Sequence, residues 1–133
     1  MVNITNYTHG KALNKGVKNS EGDLLVFLSG HCIPHDNNWL NNLIIEFNND
    51  RVAGVYGRQL PMNFSSPIAK RDLLITFGLD KKIQKNDSFF HNANSAIRRT
   101  VWDKVKFDED VSNIEDRLWA SEVLKLNFEI VYT

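Results

Sequence analysis

The sequence predicts an α/β fold, a mostly parallel sheet with flanking helices, and three observations carry that prediction. Leu24-Leu25-Val26-Phe27-Leu28 is apolar at every position, the pattern of a strand covered on both faces. That run is followed by a helix-period stretch holding Trp39, Leu40, Leu43, Ile44 and Phe47 and then by a second short run, Val52 to Gly57. Strand, helix, strand in that order is the βαβ arrangement. The alternation returns at the end, where a helical stretch holding Ile114, Leu118, Val123 and Leu126 leads into Phe128-Glu129-Ile130-Val131-Tyr132.

Taken in order, residues 9 to 19 place Ala12, Leu13, Gly16 and Val17 on one side of a helical projection, the mark of a short amphipathic helix. Asn19-Ser20-Glu21-Gly22 punctuates the chain before the Leu24–Leu28 strand, which reads as the central strand of a parallel sheet. Ser29-Gly30-His31-Cys32-Ile33-Pro34 is a loop, and Asp36 or Asn37 caps the helix that follows. Residues 58 to 65 are a polar loop; Ser66 with Pro67 at the first helical position opens a helix running to Phe77-Gly78. Lys81 to Asp87 is polar and reads as loop. Ser88 to Ile97 reads as a strand interrupted by the small polar residues Asn92-Ala93-Asn94-Ser95. Thr100 caps a short helix with Val101, Trp102 and Val105, and Ser112-Asn113-Ile114-Glu115 has the form of a capping box. No internal repeat or low-complexity tract appears, and residues 1–133 read as one partial domain.

Composition narrows the function. The 133 residues carry 16 Lys+Arg against 16 Asp+Glu, and no basic stretch supplies the phosphate-neutralising row that nucleic-acid binding requires. Hydrophobic residues at 42% supply a core, which excludes disorder by composition. One cysteine, Cys32, excludes an internal disulfide framework and suits a reducing compartment. The opening lacks a basic start with a long apolar run, and the Leu24–Leu28 run is far too short to span a bilayer; the expectation is a cytoplasmic protein, at most peripheral to a membrane. The Leu24–Leu28 strand has only one helix before it, so the chain reads as starting in mid-domain.

Three constellations bear chemistry. Ser29-Gly30-His31-Cys32 ends a strand, where ligands bind in open parallel sheets; His31, Cys32, His35 and Asp36 are also potential metal ligands, although no second paired cluster completes a zinc set. Glu115-Asp116 offers a general base, but acidic residues also suit a helix start for structural reasons. Trp119 beside them reads as core. Asn92-Ala93-Asn94-Ser95-Ala96-Ile97-Arg98-Arg99 leaves room for a ligand and offers arginines for phosphate, or equally two solvated arginines with one pairing to Asp103.

The order of these pieces is more informative than any one. Lys11-Ala12-Leu13-Asn14-Lys15-Gly16, Gly22-Asp23 before an apolar strand, a turn ending in Pro34, Trp39-Leu40, Gly57-Arg58-Gln59, Asn92 to Arg99, Phe107-Asp108-Glu109 and Glu115-Asp116-Arg117-Leu118-Trp119 together resemble a family 2 glycosyltransferase over nearly the whole chain. The resemblance implies a GT-A fold and transfer of a sugar, with inversion, from a nucleotide-diphosphate donor to a saccharide or lipid-linked acceptor, as in surface polysaccharide synthesis. It implies Asp116 as catalytic base, with Glu115 beside it at the acceptor side. Lys11 and Asn14 would border the nucleotide, Arg58 and Gln59 the sugar and acceptor, and Asn94 and Ser95 would line the pocket floor.

Two departures qualify the resemblance. The family's Asp-x-Asp metal motif is replaced by Ser29-Gly30-His31, so Ser29 and Gly30 would meet the substrate and His31 would be the one ligand for a divalent metal, suiting Mn²⁺ better than Mg²⁺. The family's opening strands, which grip the nucleobase, do not precede Lys11. The chain therefore reads as the C-terminal part of the catalytic domain, inactive as an isolated fragment. The alternatives from other classes are a non-catalytic remnant or partner-binding module, and a small metal protein using His31, Cys32 and His35. An open edge at Leu24–Leu28 would pair with a second copy, with the missing N-terminal half, or with residues 1 to 8 folded back.

Overall fold

The computed structural model describes residues 4–133. Helix α1 (His9–Lys18) leads to β1 (Leu24–Leu28), α2 (Trp39–Ile44) with a 3₁₀ turn over Ile45–Asn48, β2 (Val52–Tyr56), α3 (Pro67–Thr76) and β3 (Lys82–Gln84). Strand β4 (Asn94–Arg98), α4 (Arg99–Trp102), α5 (Glu115–Lys125) and β5 (Glu129–Tyr132) complete the chain.

The five strands form one sheet in the order β1-β4-β2-β5-β3, and this corrects two expectations. Only β2 and β5 pair in parallel; β4 runs antiparallel to both β1 and β2, and β3 antiparallel to β5. Within this chain the sheet is mixed rather than mostly parallel. Strands β1 and β2 do run in the same direction, because each pairs antiparallel with β4, but β4 lies between them. A βαβ pattern fixes the sense of two strands and leaves open what slots between.

Strand β1 is not central among the described residues. It ends the sheet, pairing with β4 from Leu24↔Arg98 to Leu28↔Asn94, and Val26 and Leu28 are each 41% exposed. Its apolar residues suit double coverage that these elements do not provide. Of the segment expected to fold over its free edge, residues 1–3 lie outside the described residues and residues 4–8 form no strand.

Both sheet faces are covered further in. Val55, Ala96 and Val131 pack with Leu43 and Phe47 of α2 and the 3₁₀ turn. On the other face Tyr56, Ile97, Ile130 and Tyr132 pack with Trp119 and Val123 of α5. Trp119, 1% exposed, stacks near Phe90 and Phe107 at 5.1 and 5.8 Å and donates Nε1–H to the Val105 carbonyl at 2.9 Å. It is core, as read from sequence. By contrast Ile114, Leu118 and Leu126 are exposed, and α5 buries Glu115, Trp119, Ala120 and Val123 instead.

Helix starts follow local chemistry unevenly. Ser66 caps α3 by accepting from the Ala69 amide at 3.2 Å, with Pro67 at the first position. The Ser112–Glu115 capping box does not form: Ile114 is the N-cap, without a side-chain bond, after Asn113 in the left-handed region at φ 68°. Thr100 does not cap α4 either, since that helix begins one residue earlier, at Arg99. The Lys81–Asp87 stretch contains β3, a three-residue edge strand whose one buried side chain, Gln84, donates to the carbonyls of Asp87 and Phe89. Three residues are too few for alternation to mark a strand. Of the expected 88–97 strand only residues 94–97 are paired, and the strand runs on to Arg98.

Candidate functional site

The site is built where β1 and β2 end, β4 begins and α5 starts. Ser29 N–H, at the end of β1, donates to the Ala93 carbonyl at 3.0 Å, and Gly57 N–H, just past β2, donates to the Asn94 carbonyl at 2.9 Å. These bonds hold the loops that follow β1 and β2 against the 89–94 segment. Asp116, half-buried in the first turn of α5, closes the group: Oδ2 accepts from the Asn92 amide at 3.3 Å and Oδ1 from the Arg117 amide at 2.8 Å. An acidic residue is stabilised there by the helix dipole and those amides.

Several residues singled out from sequence lie at this end of the sheet. Glu115 is 6% exposed, and its Oε2 has no protein partner. Asn92 Nδ2 and Arg58 Nε at this end are likewise buried without a protein partner. Buried polar atoms of this kind are uncommon and call for a polar partner. Ser95, fully buried, donates Oγ–H to Asn92 Oδ1 at 3.2 Å. Asn94 Oδ1 accepts from Trp39 Nε1 at 2.7 Å, tying α2 to the site. A Cβ on Gly57 would run into Asn94 Nδ2, so the Asn94 side chain occupies the space that any larger residue at 57 would need.

His91 lies at this end of the sheet, between the loop after β2 and the start of α5. Its Nδ1 meets the Ala93 amide and Gln59 Nε2, each at 3.2 Å. Burial pushes its pKa below the ordinary 6.5, opposed by the charge of Asp116. The signal available in sequence was its position directly before Asn92-Ala93-Asn94. Arg117 stacks over the Phe89 ring at 4.8 Å.

Lys11 and Asn14 are placed elsewhere. Asn14 is 2% exposed, and its side chain is consumed internally: Nδ2 donates to the Phe107 carbonyl (2.8 Å) and to Glu109 Oε1 (3.0 Å), and Oδ1 accepts from Trp102 Nε1 (2.9 Å) and the Phe107 amide (3.2 Å). It locks α1 to the 102–109 segment and leaves no group for a nucleotide. Lys11 lines a shallow hollow with Ile4, Thr5 and Glu109. Arg98 and Arg99 are neither phosphate ligands nor solvated ion-pair partners of Asp103. Arg98 donates to the carbonyls of Val52, Phe47 and Asn49, and Arg99 to those of Gly22, Val17 and Ser20.

The metal candidates do not gather. Among the described residues no three His, Cys, Asp or Glu side chains are grouped to hold a metal. His31 and His35 are exposed, Cys32 is half-buried with its thiol pKa raised by burial, and Ser29 and Gly30 bring no carboxylate beside His31. One imidazole is not a hard-cation site, so these residues alone do not fit a divalent metal. A groove of about 390 Å³ lies apart from these residues: it is an apolar trough between α1 and β1, lined by Ala12, Leu13, Val17, Leu25 and Phe27 among others. No helix of the described residues is long and apolar enough to cross a membrane.

Comparison with known proteins adds a frame. The family model described as glycosyl transferase family 2 matches residues 1–106, a span that stops short of α5. The chain is 29% identical to the O-antigen chain rhamnosyltransferase WbaN of Salmonella anatum over 99% of its own length and 45% of that relative. It is 26% identical to RfbN of Salmonella typhimurium, another O-antigen chain rhamnosyltransferase, over 98% of its length and 45% of that relative. The chain thus spans less than half the length of these relatives. The mannosyltransferase PcManGT of Pyrobaculum calidifontis, solved with GDP-Man and Mn²⁺, shares the fold at TM-score 0.68 and 16% identity, over 93% of this chain and 33% of its own.

Proposed function

The chain belongs to glycosyl transferase family 2, and from that premise we propose that it supplies the base-bearing part of an inverting glycosyltransferase site. The observation that carries this is the Asp116 carboxylate, fixed at the start of α5 against the Asn92 amide, at the end of the sheet where β1 and β2 finish. In this reading Asp116 takes the proton of an acceptor hydroxyl as that oxygen bonds to the anomeric carbon of the donor. The bond from that carbon to the diphosphate breaks, and the nucleoside diphosphate leaves with the electron pair. Glu115 Oε2, Asn92 Nδ2 and Arg58 Nε are buried and unpaired at this end, a polar reserve consistent with a site for hydroxyl-rich ligands once their cover moves. Asn94, Gln59 and Ser95 hold the floor and wall in place rather than presenting free groups.

The donor is a nucleotide-diphosphate sugar and the acceptor a saccharide or lipid-linked saccharide of a surface polysaccharide, as the O-antigen relatives suggest. Donor binding and turnover draw on residues beyond these 133, because the relatives are more than twice as long. Any divalent metal would be held chiefly by donor phosphates, with His31 contributing one nitrogen. A second reading, a module that binds a second copy or an N-terminal half through β1, is favoured by the free edge of that strand.

Calorimetry of the chain with uridine, guanosine and thymidine diphosphate sugars is expected to show no binding tighter than about 1 mM, a free energy near −4 kcal/mol. Micromolar binding would overturn the divided-site reading. In a polypeptide completed by the upstream segment of a rhamnosyltransferase relative, Asp116→Asn is expected to lower transfer by about 10²–10⁴-fold with donor affinity retained. Full activity of that variant would remove Asp116 from the mechanism.

A further inference from the structure

His91 hydrogen-bonds within its own turn, to the Ala93 amide, and across to Gln59 on the loop after β2. The Ala93 amide is a donor whatever the side chains do, and it points at His91 Nδ1 from 3.2 Å. A protonated Nδ1 would set donor against donor, so Nδ1 carries its lone pair and the ring proton sits on Nε2. With Nδ1 fixed as acceptor, the contact with Gln59 at 3.2 Å is a donation from Gln59 Nε2. Gln59 lies on the loop after β2, and the amide between His91 and Ala93 in sequence, that of Asn92, is the one that holds Asp116 Oδ2.

We propose that His91 is a positioning residue for sugar transfer: its neutral imidazole ties the Gln59 loop to the turn that presents the Asn92 amide to Asp116. This rests on the reading of Asp116 as the base. The ring packs edge-on to Phe77, the C-cap of α3, at 6.0 Å. The charged and titratable groups that act on it are Asp116, Glu115 and Arg117 from α5 and His31 from the loop after β1. Burial together with Arg117 and His31 disfavours the imidazolium, against Asp116 and Glu115, and burial is the largest of these effects. Protonation places an N–H against the Ala93 amide and releases Gln59, so the tie holds at neutral pH and opens in acid.

The test uses two variants with different acceptor chemistry. In His91→Asn the amide Oδ1 stands as many bonds from Cα as Nδ1 and accepts from the residue two positions on, as Asx turns do, but it does not titrate. His91→Leu removes the acceptor. Nitrogen-15 NMR of the 133-residue chain is expected to show the Nε2–H tautomer titrating below 6.5, with the Asn92 and Ala93 amides and the Gln59 side-chain amide moving at the same midpoint. In His91→Asn that movement is lost while the neutral-pH positions of the Asn92 and Ala93 amides are kept; in His91→Leu they are displaced at every pH. In the completed polypeptide, His91→Asn retains kcat within about threefold and loses the acid limb, and His91→Leu lowers kcat about tenfold with donor KM within about twofold, the pattern of misplacement rather than lost binding. An Nδ1–H tautomer, amides indifferent to the His91 titration, or equal turnover in the two variants would overturn the proposal. The NMR results do not depend on Asp116 being the base, so failure of Asp116→Asn to reduce transfer would sink that reading separately.

Discussion

Replacing Asn14 by alanine separates a structural lock from a nucleotide-binding residue. The side chain makes four hydrogen bonds, and three of the partner atoms, Trp102 Nε1, Phe107 N and the Phe107 carbonyl oxygen, belong to residues that are 4% and 2% exposed. Glu109 is half-buried and regains water when released. A buried group left unpaired costs about 1–3 kcal/mol, so three of them, partly relieved by water entering the space of the lost amide, give about 3–5 kcal/mol. That is a large share of the ~5–15 kcal/mol that holds a domain folded. Urea unfolding followed by tryptophan fluorescence reads it directly: with a slope of about 1–3 kcal/mol/M the midpoint falls by roughly 2 M. Asn14→Asp keeps the two acceptor roles but loses both donations and places a carboxylate beside Glu109, so it is expected to be as damaging at pH 7 and milder in acid. A shift below about 1 kcal/mol for Asn14→Ala would refute the lock and return Asn14 to the list of ligand-facing residues.

Gly57→Ala drives a methyl into the Asn94 amide and breaks its bond to Trp39 Nε1; it is expected to cost about 1–3 kcal/mol and to shift the indole N–H resonance of Trp39, and an unmoved resonance would contradict the packing. The His91 pKa lies below its ordinary 6.5 in the folded chain, so between the folded value and 6.5 the unfolded chain binds the extra proton and stability falls as pH drops through that window; unfolding of wild type and His91→Asn from pH 7.5 to 5.5 is expected to converge in acid, and parallel curves would show that burial does not act on this ring. Manganese is expected not to bind the chain tightly alone, since one exposed imidazole is a poor site; a stoichiometric Kd in the micromolar range, lost in His31→Ala, would contradict this.

What was legible in the sequence was what is decided locally. Leu24–Leu28, Val52–Tyr56 and the closing strand announce themselves by apolar runs, and Ser66-Pro67 marks a helix start that forms as written. Asp116 and the Asn92 segment were each marked out by the ordered motifs rather than by any periodicity, and the fold brings the Asp116 carboxylate to the Asn92 amide. Strand direction was not legible: β4 carries no sign that it runs against β1 and β2, because pairing sense is fixed by the path of the chain after Gly57. Nor were the roles of Asn14, Arg98 and Arg99. A polar residue committed to buried carbonyls and one committed to a ligand look alike in sequence, and only the partners tell them apart. The Ser112–Glu115 box failed because Asn113 takes a left-handed turn that removes Ser112 from the cap position.

The paired arginines at the end of β4 have a consequence for how this domain tolerates change. Arg98 reaches one way to the loop that enters β2, and Arg99 the other way to the loop that enters β1. Together they rivet the end of the sheet opposite Asp116, where the strand registers are set by six carbonyl acceptors rather than by side-chain fit. The end that carries Asp116 is thereby relieved of holding the registers. Its loops, 29–38 and 58–66, take no part in that fastening, while a single substitution at Arg98 or Arg99 would unfasten a pair of strands.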